Sequence, residues 1–159
     1  MQIVQKGIIM IKIVQSNILN APEDILAHQV NCIGVMGSGL AKQIKIKYPE
    51  VFKEYQKYIN TYEYKSLVLG NCQIVKATDE KYIANLFGQF GYGRKEQQTN
   101  YKALEESLFS LKVMAKDSHK SIAIPYGIGC GLGGGDWNIV YGIIEEVFGD
   151  YDVTIYKLD

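Results

Sequence analysis

Two glycine-rich stretches hold the residues of this chain best suited to chemistry. The first runs His28-Gln29-Val30-Asn31-Cys32-Ile33-Gly34-Val35-Met36-Gly37-Ser38-Gly39-Leu40-Ala41. The second runs Pro125-Tyr126-Gly127-Ile128-Gly129-Cys130-Gly131-Leu132-Gly133-Gly134-Gly135-Asp136-Trp137. Each follows an apolar run that reads as a strand and opens a segment with helical spacing. That arrangement aims backbone N–H groups and a helix N-terminus at one point, which is how proteins bind phosphate. Glycine lets the backbone approach a ligand closely. Five of the seven residues 129–135 are glycine, more than a tight turn alone asks for. Two such loops side by side at strand ends suit a diphosphate. Neither is a Walker A motif, because Gly39 is followed by Leu40. No glycine pattern is followed by a ribose-binding acid at the dinucleotide-fold distance. An ATPase and an ordinary dehydrogenase are therefore disfavoured.

Few side chains in these loops can move a proton. Asp136 is the only carboxylate in either loop and could orient or deprotonate a water; equally, Asp before a periodic apolar run is the expected helix N-cap. His28 could serve as a general acid; the alternative is a buried, hydrogen-bonded strand histidine. Cys130 lacks the His or Asn of a cysteine hydrolase and reads as small packing.

These residues need elements to hold them. Met10 to Gln15 alternates and reads as a strand, and Asp24 to Asn31 contains a second. Ser38 to Lys47 reads as a helix, and Pro49 can begin another. Leu67 to Lys76 and Tyr82 to Phe87 read as strands joined by the turn 78–81. Thr99 to Lys116 is the strongest helix, with Tyr101, Leu104, Leu108, Leu111 and Ala115 on one stripe and Thr99 or Asn100 as its cap. Ser121 to Pro125 is almost wholly apolar, as a strand covered on both faces should be. A helix begun by Asp136 and a closing strand, Val153 to Tyr156, complete the chain. The order β-β-α-α-β-β-α-β-α-β predicts an α/β sandwich with a mixed sheet.

Composition narrows the function classes. The chain has 159 residues, 47% hydrophobic and 21% charged, which suits one domain with a real core. Lys plus Arg and Asp plus Glu are each 17, so a broad basic face for nucleic acid is not expected. The cysteines Cys32, Cys72 and Cys130 form no CxxC pair, and only His28 and His119 accompany them. No metal site and no cofactor are expected. Scattered cysteines without a secretory leader fit a reducing cytoplasm. No apolar run is long enough to span a bilayer. Residues 1–9 read as a leader or an extra strand, with Met10 an alternative start.

Taken together, Gln15-Ser16-Asn17-Ile18-Leu19, the 28–41 loop, Asn85-Leu86-Phe87-Gly88-Gln89, the 129–137 loop and the 153–158 strand make nearly the whole chain resemble a macrodomain. It is similar to the Appr-1-p processing branch, which holds ADP-ribose 1″-phosphate phosphatases and is related to terminal ADP-ribose glycohydrolases and DarG-type antitoxins. The resemblance implies a three-layer α/β/α fold with a mostly parallel sheet of about six strands. It implies ADP-ribose, or an ADP-ribosylated molecule, as the partner.

By the same resemblance, Asn17 faces the adenine amino group, where many family members carry Asp, and Ile18 adds a backbone N–H; the alternative for Asn17 is an Asx-turn. Asn31 faces the distal ribose or positions a water there. Met36, Gly37, Ser38 and Gly39 wrap the distal ribose and phosphate. Gly129, Cys130, Gly131, Leu132, Gly133 and Gly134 hold the diphosphate through backbone amides. Phe87 and Tyr126 wall a sugar or base, unless they are ordinary core aromatics, and Gln89 bonds ligand or loop. Tyr92 and Arg94, in the 91–98 loop, could reach whatever the distal ribose carries.

The glycohydrolase branch uses a strand lysine and a loop acid, whereas this chain has Asn85-Leu86-Phe87-Gly88-Gln89 and glycine at those places. Water attack at the distal ribose, on a 1″-phosphate or an O-linked ADP-ribosyl ester, with Asn31, Asp136 and His28 as the catalytic candidates, is the mechanism that remains. The competing readings are a non-catalytic ADP-ribose-binding module and a phage or toxin–antitoxin conflict protein acting on ADP-ribosylated nucleic acid or a cyclic ADP-ribose signal.

Overall fold

A computed structural model describes residues 11–158. The expected segment 1–9 and the alternative start Met10 lie outside the described residues. Six strands, β1 (Ile11–Gln15), β2 (Ile25–Val30), β3 (Cys72–Lys76), β4 (Tyr82–Phe87), β5 (Ile122–Pro125) and β6 (Val153–Lys157), form one sheet in the order β1-β6-β5-β2-β4-β3. All neighbours are parallel except β3 and β4, which run antiparallel. Four helices cover it: α1 (Gly39–Lys47), α2 (Pro49–Asn60), α3 (Tyr101–Ser118) and α4 (Trp137–Val147).

Alternation along the strands explains the three layers. Ile25 and Ala27 of β2, Ala84 and Leu86 of β4, Ile122 and Ile124 of β5, and Val153 and Ile155 of β6 point to one face. There they meet Leu104, Leu108 and Leu111 of α3 and Val140 and Ile144 of α4. The intervening residues point to the other face. Leu26, Ile83 and Ala123 meet Ile44 of α1 and Val51 of α2. Val30 and Phe87 meet Tyr55 and Ile59 of α2. A sheet buried on both faces needs apolar residues at odd and even positions, which is why β5 reads as a continuous apolar run.

The element boundaries follow local chemistry. Asn100 caps α3, its Oδ1 accepting from the Ala103 amide at 3.0 Å; Thr99 is diverted to the second glycine loop. Asp136 caps α4, its Oδ1 accepting from the Asn138 amide at 2.8 Å. Pro49 sits in the first turn of α2, where its missing N–H costs nothing. The strand expected over Leu67–Lys76 begins only at Cys72. Lys65–Val68 is a 3-10 turn, and Gly70, at φ +92°, turns the chain so that its amide bonds the Phe87 carbonyl at 2.8 Å. A second 3-10 turn, Ile18–Asn20, follows β1 and is not expected from sequence.

Parallel strands place the β2–α1 and β5–α4 connections at the same sheet edge, because β2 and β5 are neighbours. This brings the two glycine loops, about a hundred residues apart in sequence, side by side. Leu108 is wholly buried between α3 and the sheet. Leu108→Ala is expected to cost about 3 kcal/mol, read as a lowered midpoint in urea unfolding with an unchanged slope.

Candidate functional site

The two loops enclose a cleft of about 510 Å³. Its walls are Gly37, Ser38, Gly39, Leu40 and Ala41 from the first loop and α1, and Tyr126, Gly127, Gly129, Gly131, Leu132 and Gly133 from the second. His28 and Gln29 line it from β2, Asn31 from the residue after β2, Gln89 from just beyond β4, and Tyr92, Gly93 and Arg94 from the following segment.

The first loop is folded by Asn31. Its Oδ1 accepts from the amides of Ile33, Gly34 and Val35 at 3.0, 3.1 and 3.3 Å, and its Nδ2 donates to the Val35 carbonyl at 2.8 Å. The buried Tyr55 hydroxyl is shared between the Asn31 carbonyl at 2.6 Å and Asn31 Oδ1 at 2.9 Å. Burial raises the Tyr55 phenol above its ordinary range, so it stays a donor. With three amides satisfied inside the turn, the Gly37 and Ser38 amides are left without partners among the described residues. Ser38, the residue before α1, makes no side-chain cap, and α1 has no acid in its first turn. The α1 N-terminus is thus open toward the cleft, with its orphan N–H groups and positive dipole end.

The second loop is clamped from behind. Thr99 donates its hydroxyl to the Gly129 carbonyl at 2.6 Å, and the amides of Gln98 and Thr99 bond the Gly133 carbonyl at 2.8 and 2.9 Å. The Gly135 amide bonds the Gly129 carbonyl at 2.8 Å. Gln29 Nε2 ties this clamp to the segment after β4, donating to Thr99 Oγ1 at 2.9 Å and Gln89 Oε1 at 2.7 Å. The amides of Gly129, Gly131, Leu132 and Gly133, residues that line the cleft, have no partner among the described residues. A side chain would not fit at Gly133, where a Cβ would stand 2.5 Å from Thr99 Oγ1 and 2.7 Å from the Gly129 carbonyl.

Arg94 is the one charged side chain among the cleft-lining residues, and no carboxylate is among them. Unpaired amides, an open helix N-terminus and a lone guanidinium make a site for anions with a diffuse charge. Tyr126 supplies an aromatic wall, its ring 4.5 Å from that of Trp137 and capped by the Lys157 ammonium at 4.6 Å.

Several residues expected at the ligand stand elsewhere. Phe87 is wholly buried on the α2 side, stacked against Tyr55 and Tyr58 at 5.8 and 5.6 Å. Met36 is buried in the same cluster and anchors the first loop to it. Asn17 Oδ1 accepts from the Leu19 amide at 2.9 Å, the Asx-turn alternative, and Ile18 is buried against α1 and α2. Neither lines the cleft. Cys130 lies outside the lining, its amide bonded to the Gly127 carbonyl at 2.8 Å and its Sγ 3.4 Å from the Ile128 carbonyl. Gly134 also lies outside the lining, against Gln97. Asp136 is outside the lining as well and is spent on capping α4. That cap satisfies one amide of the α4 N-terminus, whereas α1 has no side-chain cap among the described residues. His28 is 2% exposed; burial, partly offset by its hydrogen bond to Asn85, pushes its imidazole down to about 4. It is neutral at neutral pH and has no proton poised for general-acid work.

Sequence reasoning missed Gln29, whose amide links β2 to Gln89 and to the Thr99 clamp, and Val35, whose backbone closes the first loop. Gln29 carries no motif; only the pairing of β2 with β4 reveals it.

The family model for the Macro domain matches residues 27–144. The chain belongs to the macro domain family. The ADP-ribose 1″-phosphate phosphatase of Saccharomyces cerevisiae (strain YJM789) is 29% identical over 162 aligned residues, covering 84% of this chain and 89% of that protein. The DNA ADP-ribosyl glycohydrolase of Mycobacterium bovis is 32% identical, but this macrodomain chain spans only 40% of its length while 88% of the chain is aligned. The solved macrodomain of Mycobacterium tuberculosis DarG superposes with a TM-score of 0.79 at 29% identity, over 93% of this chain and 97% of that one. Among the described residues no helix is long and apolar enough to cross a membrane, and no cluster of three His, Cys, Asp or Glu could hold a metal.

The loop geometry separates two substitutions of one type. Gly131→Ala meets open space and is expected to leave stability within about 0.5 kcal/mol. Gly133→Ala must displace the Thr99 clamp and is expected to cost about 2 kcal/mol. Thermal or urea unfolding of the two variants checks the contrast.

Proposed function

We propose that the macrodomain cleft binds ADP-ribose or an ADP-ribose derivative through its diphosphate, and that the chain hydrolyses such a derivative at the distal ribose. The observation carrying this reading is the set of unpaired amides on both glycine loops, joined by the open α1 N-terminus and Arg94, in a cleft with no acid in its lining. A diphosphate bridges such a site, and each charge-assisted hydrogen bond contributes about 1.5–3 kcal/mol. Supporting it, the phosphatase relative matched over most of its length acts on ADP-ribose 1″-phosphate by its name. On that substrate water attacks phosphorus, the bond from phosphorus to the 1″ oxygen breaks, the sugar oxygen takes a proton, and ADP-ribose and phosphate leave. Backbone N–H groups held in place without reorganisation would stabilise the charge on the transferring phosphoryl group.

The lining favours a second reading, a module that binds without turnover, because it holds neither a carboxylate nor a lysine. Nucleic acid carrying ADP-ribose, the substrate class named for the glycohydrolase relative, would enter through the Tyr92–Arg94 side as one modified base, since the chain's net charge of zero supplies no field for a duplex.

Calorimetry with ADP-ribose, ADP and AMP tests binding, and release of inorganic phosphate from ADP-ribose 1″-phosphate tests turnover. ADP-ribose is expected to bind at least tenfold more tightly than AMP; equal affinities would refute the diphosphate site. Arg94→Ala should weaken ADP-ribose about five- to tenfold and flatten the salt dependence. Asp136→Asn keeps a good cap, and its phosphate-release rate is expected within about twofold of the parent. A hundredfold loss at unchanged affinity would instead make that carboxylate the water-activating group.

A further inference from the structure

Among the described residues the sheet ends on β3, which pairs only with β4. The phase of that pairing is fixed at both ends. The Phe87 amide bonds the Asn71 carbonyl at 3.0 Å, and the Ala77 amide bonds the Lys81 carbonyl at 2.8 Å. Hydrogen-bonded positions alternate along an antiparallel ladder, so Gln73 and Val75 turn their backbone groups to β4. Cys72, Ile74 and Lys76 turn theirs outward, where no strand among the described residues meets them. A row of unpaired N–H and C=O groups is a template for another strand.

The surroundings of this edge are apolar, with a charge of opposite sign at each end. Cys72 and Ile74 are half-buried on the α3 face of the sheet, and Lys76 follows in the same alternation, exposed. Beside the edge, Glu106, Phe109 and Ser110 of α3 line a groove with Leu69, Gly70 and Asn71, the residues that lead into β3. Phe109, Val113 and Met114 are exposed on that helix. A Cβ on Gly70 would stand 2.7 Å from Glu106 Oε1, so the carboxylate lies at the Cys72 end of the strand. Lys76 marks the other end. Neither Glu106 nor Lys76 forms an ion pair among the described residues.

We infer that β3 is a self-association site, where two copies of the chain join antiparallel, edge to edge, about a two-fold axis at Ile74. The outward residues select this partner. Centred on Ile74, the strand pairs Ile74 with its own copy and Cys72 with Lys76, each pair exchanging both backbone bonds. The two-fold carries Lys76 of each copy to the Cys72 end of the other, where Glu106 stands, so the charge match is made twice. In-register parallel pairing would instead set Lys76 against Lys76. An isologous contact of this kind closes at two copies and leaves no β3 edge to propagate. No β3 residue lines the cleft, so both clefts stay open in the dimer and the inference does not rest on the ADP-ribose reading.

Sedimentation of the intact chain at low salt tests the inference. A reversible dimer with a Kd of about 100 µM is expected from so short an edge. A chain still monomeric at about 1 mM overturns the inference and leaves the edge to a strand of another protein. Lys76→Glu and Glu106→Lys each create two like-charge pairs, and each is expected to weaken the dimer about tenfold. Both side chains are exposed, so the variants are expected to fold as the parent does. The double variant restores opposite charges and is expected to return to within about threefold of the parent. A dimer indifferent to both single changes lies on another surface and overturns the inference. In amide exchange, dimer formation is expected to slow Ile74 about tenfold while Gln73 and Val75, already bonded to β4, are unchanged. Equal exchange of Ile74 in monomer and dimer refutes the edge pairing.

Discussion

Backbone amides can hold an anion only if they are kept away from one another's carbonyls, and a loop with no internal bonds has no fixed shape. The structure meets both demands by folding each glycine loop from outside its binding surface. In the first, the Asn31 carboxamide gathers the amides of Ile33, Gly34 and Val35 and is held by the buried Tyr55 hydroxyl. In the second, Thr99 and Gln98 grip the Gly129 and Gly133 carbonyls. What remains facing the cleft is a set of N–H groups with fixed directions. Their orientation is set during folding and so is not charged against ligand binding.

This division explains why the supporting residues come from distant places. Tyr55 belongs to α2 and Thr99 precedes α3, yet each bonds a loop it does not belong to, and Gln29 on β2 braces Thr99 in turn. The layers supply the rigidity. Aromatic stacking of Phe87 with Tyr55 and Tyr58 fixes the α2 side, and Met36 pins the first loop into the same cluster. On the other face, Leu104, Leu108 and Leu111 hold α3, and so Thr99, against the sheet. Loss of packing in either layer would be felt at the cleft, since the clamps are only as rigid as the helices that carry them.

Electrostatics favour the ligand more by omission than by attraction. The cleft lining holds one cation and no acid. Asp136, the carboxylate nearest in sequence, is exposed and turned to the α4 amides, where it neutralises a helix end that would otherwise compete for the anion. His28 is kept neutral by burial, so it adds no charge to the cleft.

Much of this is legible in the order of the amino acids. Apolar alternation marks the strands, helical spacing marks α3 and α4, and Asn100 and Asp136 announce their caps. The glycine density of residues 129–135 identifies the anion loop, because few other needs call for so many glycines. Sequence pattern does not separate residues that touch a ligand from residues that hold the loops. Asn31, Phe87, Met36 and Gln89 have the right types for either task. Which one each performs depends on the face of the strand it leaves and on partners many residues away. Gln29 and Thr99 carry no motif at all, and their importance arises only because β2, β4 and β5 are neighbours. The sequence by itself determined the elements, the anion-binding chemistry and the family, since those follow from local pattern. The tertiary structure decided the burial of His28, the clamp of Thr99 on the second loop and the hold of Tyr55 on Asn31, since those depend on packing and hydrogen bonds between groups that meet only in the folded chain.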